Sequence, residues 1–151
     1  MKKKIEFRSQ CPISTALDIF GDKWTLLVIR DLLFNEKKTY GEFLNSEERI
    51  ATNILSDRLS LLEMAGIVSK RKHPEHGLKI IYSLTSKGVD LIPVLVEIIV
   101  WSEKHQEVHP YAKEFVKVLN KDKPGVLQGL FESAPRSDSF LAKKKKKKGV
   151  S

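Results

Sequence analysis

The chain holds a single cysteine, Cys11, among 151 residues. One thiol cannot close an internal disulfide, which excludes a secreted disulfide scaffold. Long apolar runs are missing too. The most hydrophobic stretch, from Leu91 to Trp101, contains Pro93 and Glu97 and is far too short to cross a bilayer. Lys2 to Lys4 lead straight into Ile5-Glu6-Phe7-Arg8, without the apolar core of a signal peptide. There is no Gly-rich phosphate loop, no G-x-S-x-G elbow, no H-E-x-x-H zinc helix and no internal repeat. His73 and His76 have no ligand cluster nearby, and His105 and His109 lie at a fraying helix end, so no metal is expected. These absences point away from an enzyme, a cofactor and a membrane. They leave a water-soluble, cytoplasmic protein.

With 41% hydrophobic and 30% charged residues, the composition is that of a globular domain. The net charge of +8, from 27 basic and 19 acidic residues, suggests a polyanionic partner. Its placement is uneven. Lys2–Lys4 and Lys143–Lys148 supply nine of the positive charges, and the remaining chain holds 18 basic and 19 acidic residues. Within that near-neutral part, residues 49–88 carry +4, whereas residues 5–48 carry −3 and residues 89–142 carry −2.

Periodicity supplies the elements. Ile13, Ala16, Leu17 and Phe20 make an amphipathic helix that opens at Pro12, with Cys11 as a plausible N-cap and Thr15-x-x-Asp18 as a rival cap. Gly21 ends it, and an almost wholly apolar helix follows from Trp24 to Phe34. Thr39-Tyr40-Gly41-Glu42 has capping-box spacing and predicts a short helix through about Asn45. After a turn at Ser46–Arg49, a helix is expected from Ala51 to Ala65, burying Leu55, Leu59 and Leu62 and ending at Gly66. Ile67–His73 and Leu78–Leu84 read as strands joined by Pro74-Glu75-His76-Gly77. One long helix is expected from Ser86 to His105, capped by Thr85. It carries two apolar stripes: Leu91, Val94, Ile98 and Trp101 on one, Ile92, Leu95 and Ile99 on the other. Two stripes need two partners, the domain core and a second subunit. Trp24 and Trp101 are read as core or interface residues. Beyond His109, Tyr111–Leu119 and Val126–Phe131 read as helices separated by a breaker at Lys121–Gly125.

This order is a winged helix-turn-helix, an α+β and mainly α fold, with a two-stranded wing and flanking dimerisation helices. The expected organisation is a basic arm over residues 1–8, a DNA-binding and dimerisation domain over 9–109, a helical extension over 110–132, and a disordered lysine-rich tail over 133–151. In such a unit the second helix of the pair enters the major groove. Its outward residues are Thr52, Asn53, Ser56, Asp57 and Ser60. An Asn can bond adenine bidentately, and Ser or Thr can reach bases or phosphates. Arg58 has two open roles, a phosphate contact or a pair with Glu63 or another carboxylate inside the domain. The wing offers Lys70, Arg71, Lys72, His73 and Lys79 to phosphates or the minor groove. The partner these residues suit is a double-stranded DNA operator. The rival reading is a winged-helix module for protein–protein contact without specific DNA binding.

An ordered set of motifs runs from Cys11-Pro12-Ile13 and Gly21-Asp22-Lys23-Trp24-Thr25-Leu26-Leu27 to Ile50-Ala51-Thr52-Asn53-Ile54-Leu55 and Ser56-Asp57-Arg58-Leu59. Leu62-Glu63-Met64-Ala65-Gly66-Ile67-Val68, Tyr82-Ser83-Leu84-Thr85-Ser86-Lys87-Gly88, Pro93-Val94-Leu95 and Trp101 continue it. This set resembles the HxlR-type winged helix-turn-helix transcriptional regulators. The resemblance implies a homodimer on a partly palindromic operator, joined through the first helix and the helices after the wing. Candidate interface residues are Ile13, Leu17, Leu91, Val94, Leu95, Ile98 and Trp101. Some members of that family sense oxidants or electrophiles through a cysteine at this place, so Cys11 is a candidate sensor, and a helix N-terminus supports this by favouring a thiolate. The alternative is a small, buried, inert hydrophobe. The family often has paired prolines in the wing turn, where this chain has only Pro74.

Overall fold

The computed structural model describes residues 4–137. Its elements are α1 (Pro12–Phe20), α2 (Thr25–Phe34), α3 (Tyr40–Leu44), α4 (Thr52–Met64), β1 (Val68–Lys72), β2 (Ile80–Leu84), α5 (Ser86–Val89), α6 (Ile92–His105), α7 (Tyr111–Lys121) and α8 (Lys123–Ser133). The described residues form two compact units. One comprises residues up to Gly88 together with 135–137, the other Val89–Ala134.

In the first unit, Pro12 stands in the first turn of α1 and Cys11 is its N-cap, so the rival cap is not used. Thr39 and Glu42 form both halves of the capping box that opens α3. Gly66, at φ +70°, ends α4 in the left-handed conformation. The Ile67 N–H then bonds the Leu62 carbonyl and the Gly66 N–H bonds that of Glu63, which satisfies two carbonyls of the last turn.

The core of this unit is built from Val28, Ile29 and Leu32 of α2, Phe43 of α3, Leu55, Leu59 and Leu62 of α4, and Val68, Ile81 and Leu84 of the hairpin. Each such side chain contributes about 2 kcal/mol of burial. α2 packs on β2 and α4, α3 and β1 pack on α4, and α1 packs on α2. Phe43 meets the ring of Tyr82 edge to face, with centroids 6.1 Å apart. β1 and β2 are antiparallel, with Val68 opposite Leu84, Lys70 opposite Tyr82 and Lys72 opposite Ile80. The Tyr82 N–H also bonds the Lys38 carbonyl at 2.7 Å, so the chain before α3 flanks β2.

Asp31 is 2% exposed yet charged, and it ties the end of α2 to the next turn. Its carboxylate accepts from Arg30, Asn35, Lys37 and the Ser46 hydroxyl. Burial opposes its ionisation. The bonds from Ser46, Asn35 and Arg30 outweigh burial and hold the carboxyl below its usual value.

In the second unit α6, α7 and α8 pack on one another. Three sequence expectations change. The single helix expected over Ser86–His105 is two, α5 and α6, broken at Asp90–Leu91. Pro93 lacks the N–H that would bond the Val89 carbonyl, and it instead stands in the first turn of α6. The breaker expected at Lys121–Gly125 shrinks to Asp122. That carboxylate accepts the Gly125 N–H at 3.0 Å and caps α8, with Pro124 in its first turn. Residues 133–137, expected to belong to the disordered tail, are among the described residues, and the rest of that expected tail lies outside them. Ser133 ends α8, and Arg136 forms a parallel bridge with Leu84. The six-lysine run and Lys2–Lys3 lie outside the described residues.

Candidate nucleic-acid interface

The face of α4 away from the leucines is open. Thr52, Asn53, Ser56, Asp57 and Ser60 are all exposed. Tyr40 of α3 braces the start of this helix. Its hydroxyl donates to the Thr52 carbonyl at 2.6 Å and accepts from the Ser56 hydroxyl at 3.3 Å. The capping box that opens α3 makes Tyr40 its first residue and so aims it at α4, a brace that helical periodicity does not reveal.

Arg58 pairs with a carboxylate inside the domain, one of the two roles left open for it. It is half-buried, and its Nη1 lies 3.4 Å from Oδ2 of Asp22, not beside Glu63. Asp22 meanwhile accepts the backbone N–H groups of Trp24 and Thr25 at 2.8 and 3.0 Å, and the Thr25 hydroxyl. Burial works against this carboxylate. The Thr25 hydroxyl, the two N–H groups and Arg58 outweigh burial and hold its pKa below the ordinary value.

On the wing, Lys70, Arg71, Lys72 and Lys79 are exposed. Lys70 lies 3.3 Å from Glu63, which draws it toward α4. His73 is half-buried, and its Nδ1 accepts the N–H groups of Glu75 and His76 at 3.1 and 3.2 Å. These two bonds tie the ring to the wing turn. The His73 N–H bonds the Lys79 carbonyl and the Lys79 N–H bonds that of His76, which closes the wing tip.

Away from this face, Cys11 is exposed at the start of α1, and its N–H bonds the Ser9 hydroxyl at 3.2 Å. Arg8 folds back on Asp18 through its backbone N–H and its guanidinium. On α1, Ile13 is 71% and Leu17 49% exposed. On α6 the two stripes separate. Ile92 and Leu95 are buried, whereas Ile98 and Trp101 are exposed and line an open apolar groove with Pro93, Val94 and Glu97. Leu95, at 7% exposure, therefore leaves the set of candidate interface residues. Leu91 and Val94 are half-buried. Among the described residues no three His, Cys, Asp or Glu side chains gather as a metal site, and no helix is long and apolar enough to cross a membrane.

A family model described as an HxlR-like helix-turn-helix matches residues 19–110. The HTH-type transcriptional regulator sll1512 of Synechocystis sp. is 36% identical over 86 residues, which are 57% of this chain and 63% of that protein. This chain thus spans just under two thirds of that relative. The HTH-type transcriptional regulator YodB of Bacillus subtilis is 32% identical over 100 residues, covering 66% of this chain and 88% of YodB. The reduced form of YodB superposes with a TM-score of 0.54 at 29% identity, over 66% of this chain and 97% of that one. YodB has also been solved diamide-treated and quinone-bound. The redox regulator HypR in its oxidized form gives a TM-score of 0.56 at 30% identity, over 65% of this chain and all of that one.

Proposed function

Since the chain belongs to the HxlR-like helix-turn-helix family and is a transcriptional regulator of the HTH type, we propose that it acts as a homodimer on a specific DNA operator. The observation that carries this reading is the polar outer face of α4 beside a basic wing, in a chain whose flanking segments, residues 5–48 and 89–142, are net negative. Thr52, Asn53, Ser56, Asp57 and Ser60 face the major groove, where Asn53 has the donor–acceptor pair that matches adenine. Lys70, Arg71, Lys72 and Lys79 meet phosphates on the flanking backbone. His73 serves by holding the wing turn, and Arg58 by holding α4.

Two copies join through apolar surface that one copy leaves open, Ile13 and Leu17 on α1 and Val94, Ile98 and Trp101 on α6, with Leu91 at the margin. Their two α4 helices would then address half-sites about one helical turn apart. Cys11 is the candidate sensor. It is exposed at the helix start of α1, and α1 carries part of the proposed dimer surface, so oxidation or alkylation there would alter dimer geometry. Similarity to YodB and HypR, with their reduced, quinone-bound and oxidized forms, supports this role.

Selection of bound duplexes from a random pool tests the reading. It is expected to enrich a partly palindromic sequence, and an oxidant is expected to change its retention by wild type but not by Cys11→Ser. A pool without enrichment would favour the protein–protein module.

A further inference from the structure

The Asp22–Arg58 pair joins the turn before α2 to α4. Asp22 stands in the turn between α1 and α2, and its carboxylate is shared. Oδ1 accepts two backbone N–H groups of the α2 start, while Oδ2 takes the Thr25 hydroxyl and faces Arg58 of α4. One group thus caps α2 and grips the neighbouring helix.

Both ends of this grip are fixed. A Cβ on Gly21 would lie 2.4 Å from the Leu17 carbonyl oxygen, so the last turn of α1 closes against this turn only because residue 21 has no side chain. On α4, Arg58 flanks the buried leucines. Its Nε is enclosed and has no hydrogen-bond partner among the described residues. A surface arginine would have water on that donor. Here packing around Nε and the Asp22 carboxylate together orient the planar head. Apolar contacts are non-directional, and Leu55, Leu59 and Leu62 alone would let α4 turn slightly about its axis. The ion pair between Arg58 and Asp22, at 3.4 Å, adds a point of attachment off that axis, and a turn of α4 would lengthen it.

We propose that Asp22 and Arg58 are a positioning pair that sets the rotation of α4, and hence which outward side chains reach base edges. The proposal rests on the DNA reading above and adds to it a route from α1 to the recognition helix. The same turn ends α1, whose exposed Ile13 and Leu17 belong to the proposed dimer surface, and holds α4. A shift of α1 between two dimer geometries is therefore felt at Asn53.

The test compares wild type with Arg58→Gln, Arg58→Lys, Asp22→Asn and the Asp22→Asn/Arg58→Gln double variant. Each is titrated with the selected operator and with a scrambled duplex across salt, and its thermal unfolding is followed. Asp22→Asn keeps an oxygen for the Trp24 and Thr25 N–H groups, so the α2 cap survives and the fold is retained. Asp22→Asn and Arg58→Gln are each expected to weaken operator binding about tenfold, with the double variant no worse than either. Affinity for the scrambled duplex and the salt slope should not change, and Arg58→Lys should recover part of the loss. The proposal is overturned if the two losses multiply. It is equally overturned if Arg58→Gln weakens both duplexes alike and lowers the salt slope by about one ion, the mark of a phosphate contact. A wild-type chain that binds no duplex at about 50 mM salt would instead defeat the DNA reading on which the pair's role rests.

Discussion

Asn53 carries an amide that donates and accepts at once, which matches N6 and N7 of adenine, and its exposure leaves both atoms available. Asn53→Ala is expected to lower discrimination between operator variants by about 1–3 kcal/mol, read from competition with single-base substitutions. Arg71 is proposed to meet phosphate instead of a base edge. Arg71→Ala should weaken all duplexes alike and flatten the salt slope by about one ion. Asp31 predicts a pH effect on stability. Its folded pKa lies below the ordinary value of 3.8, so the unfolded chain takes up a proton first as pH falls. The stability that Asp31 supplies is fully present above that value and is lost as pH drops through the lower folded one. Urea unfolding between neutral pH and about pH 3 should show an acid limb that Asp31→Asn makes shallower. Asp31→Ala should cost about 3 kcal/mol at neutral pH, because Arg30 and Lys37 lose a buried partner.

At the level of elements, α5 and α6 show where pattern and covalent geometry compete. Apolar spacing runs on from Ser86 to His105, but Pro93 cannot donate the bond that a continuous helix needs. Pro93→Ala should restore that N–H and raise the helical signal in far-ultraviolet circular dichroism. The elements of the first unit were legible because each carries a local terminator: Pro12 and Gly21 for α1, the Thr39–Glu42 box for α3, Gly66 for α4. Asp122-Lys123-Pro124 is an equally local signal, an Asp cap before an N-terminal proline, masked by the lysines around it. The open face of α4 was legible from its leucine spacing. The partners of Tyr40, Asp22, Asp31 and His73 were not. Tyr40, Asp22 and Asp31 each reach a residue outside their own element, and His73 binds N–H groups of its own turn; a periodic pattern carries neither kind of information.

At the scale of the whole molecule, the proposed reading gives the basic segment to DNA and the exposed apolar surface to a second copy. Ile98 and Trp101 stay exposed on a helix that buries Ile92 and Leu95, and the proposed dimer would cover them. Ile98→Asp with Trp101→Asp should convert a dimer into a monomer in light scattering, while thermal unfolding stays cooperative. Net charge alone misleads here. Nine of the positive charges belong to Lys2–Lys4 and Lys143–Lys148, whereas the +4 of residues 49–88 lies on α4, the wing and their flanks. The most direct measurement is therefore the affinity of a chain lacking Lys143–Lys148 for its selected operator and for a scrambled duplex, across salt. If α4 and the wing supply recognition, the operator should remain preferred by about a thousandfold or more, with mainly the scrambled-duplex affinity reduced. Equal affinity for both duplexes would contradict the account and assign recognition to the lysine run.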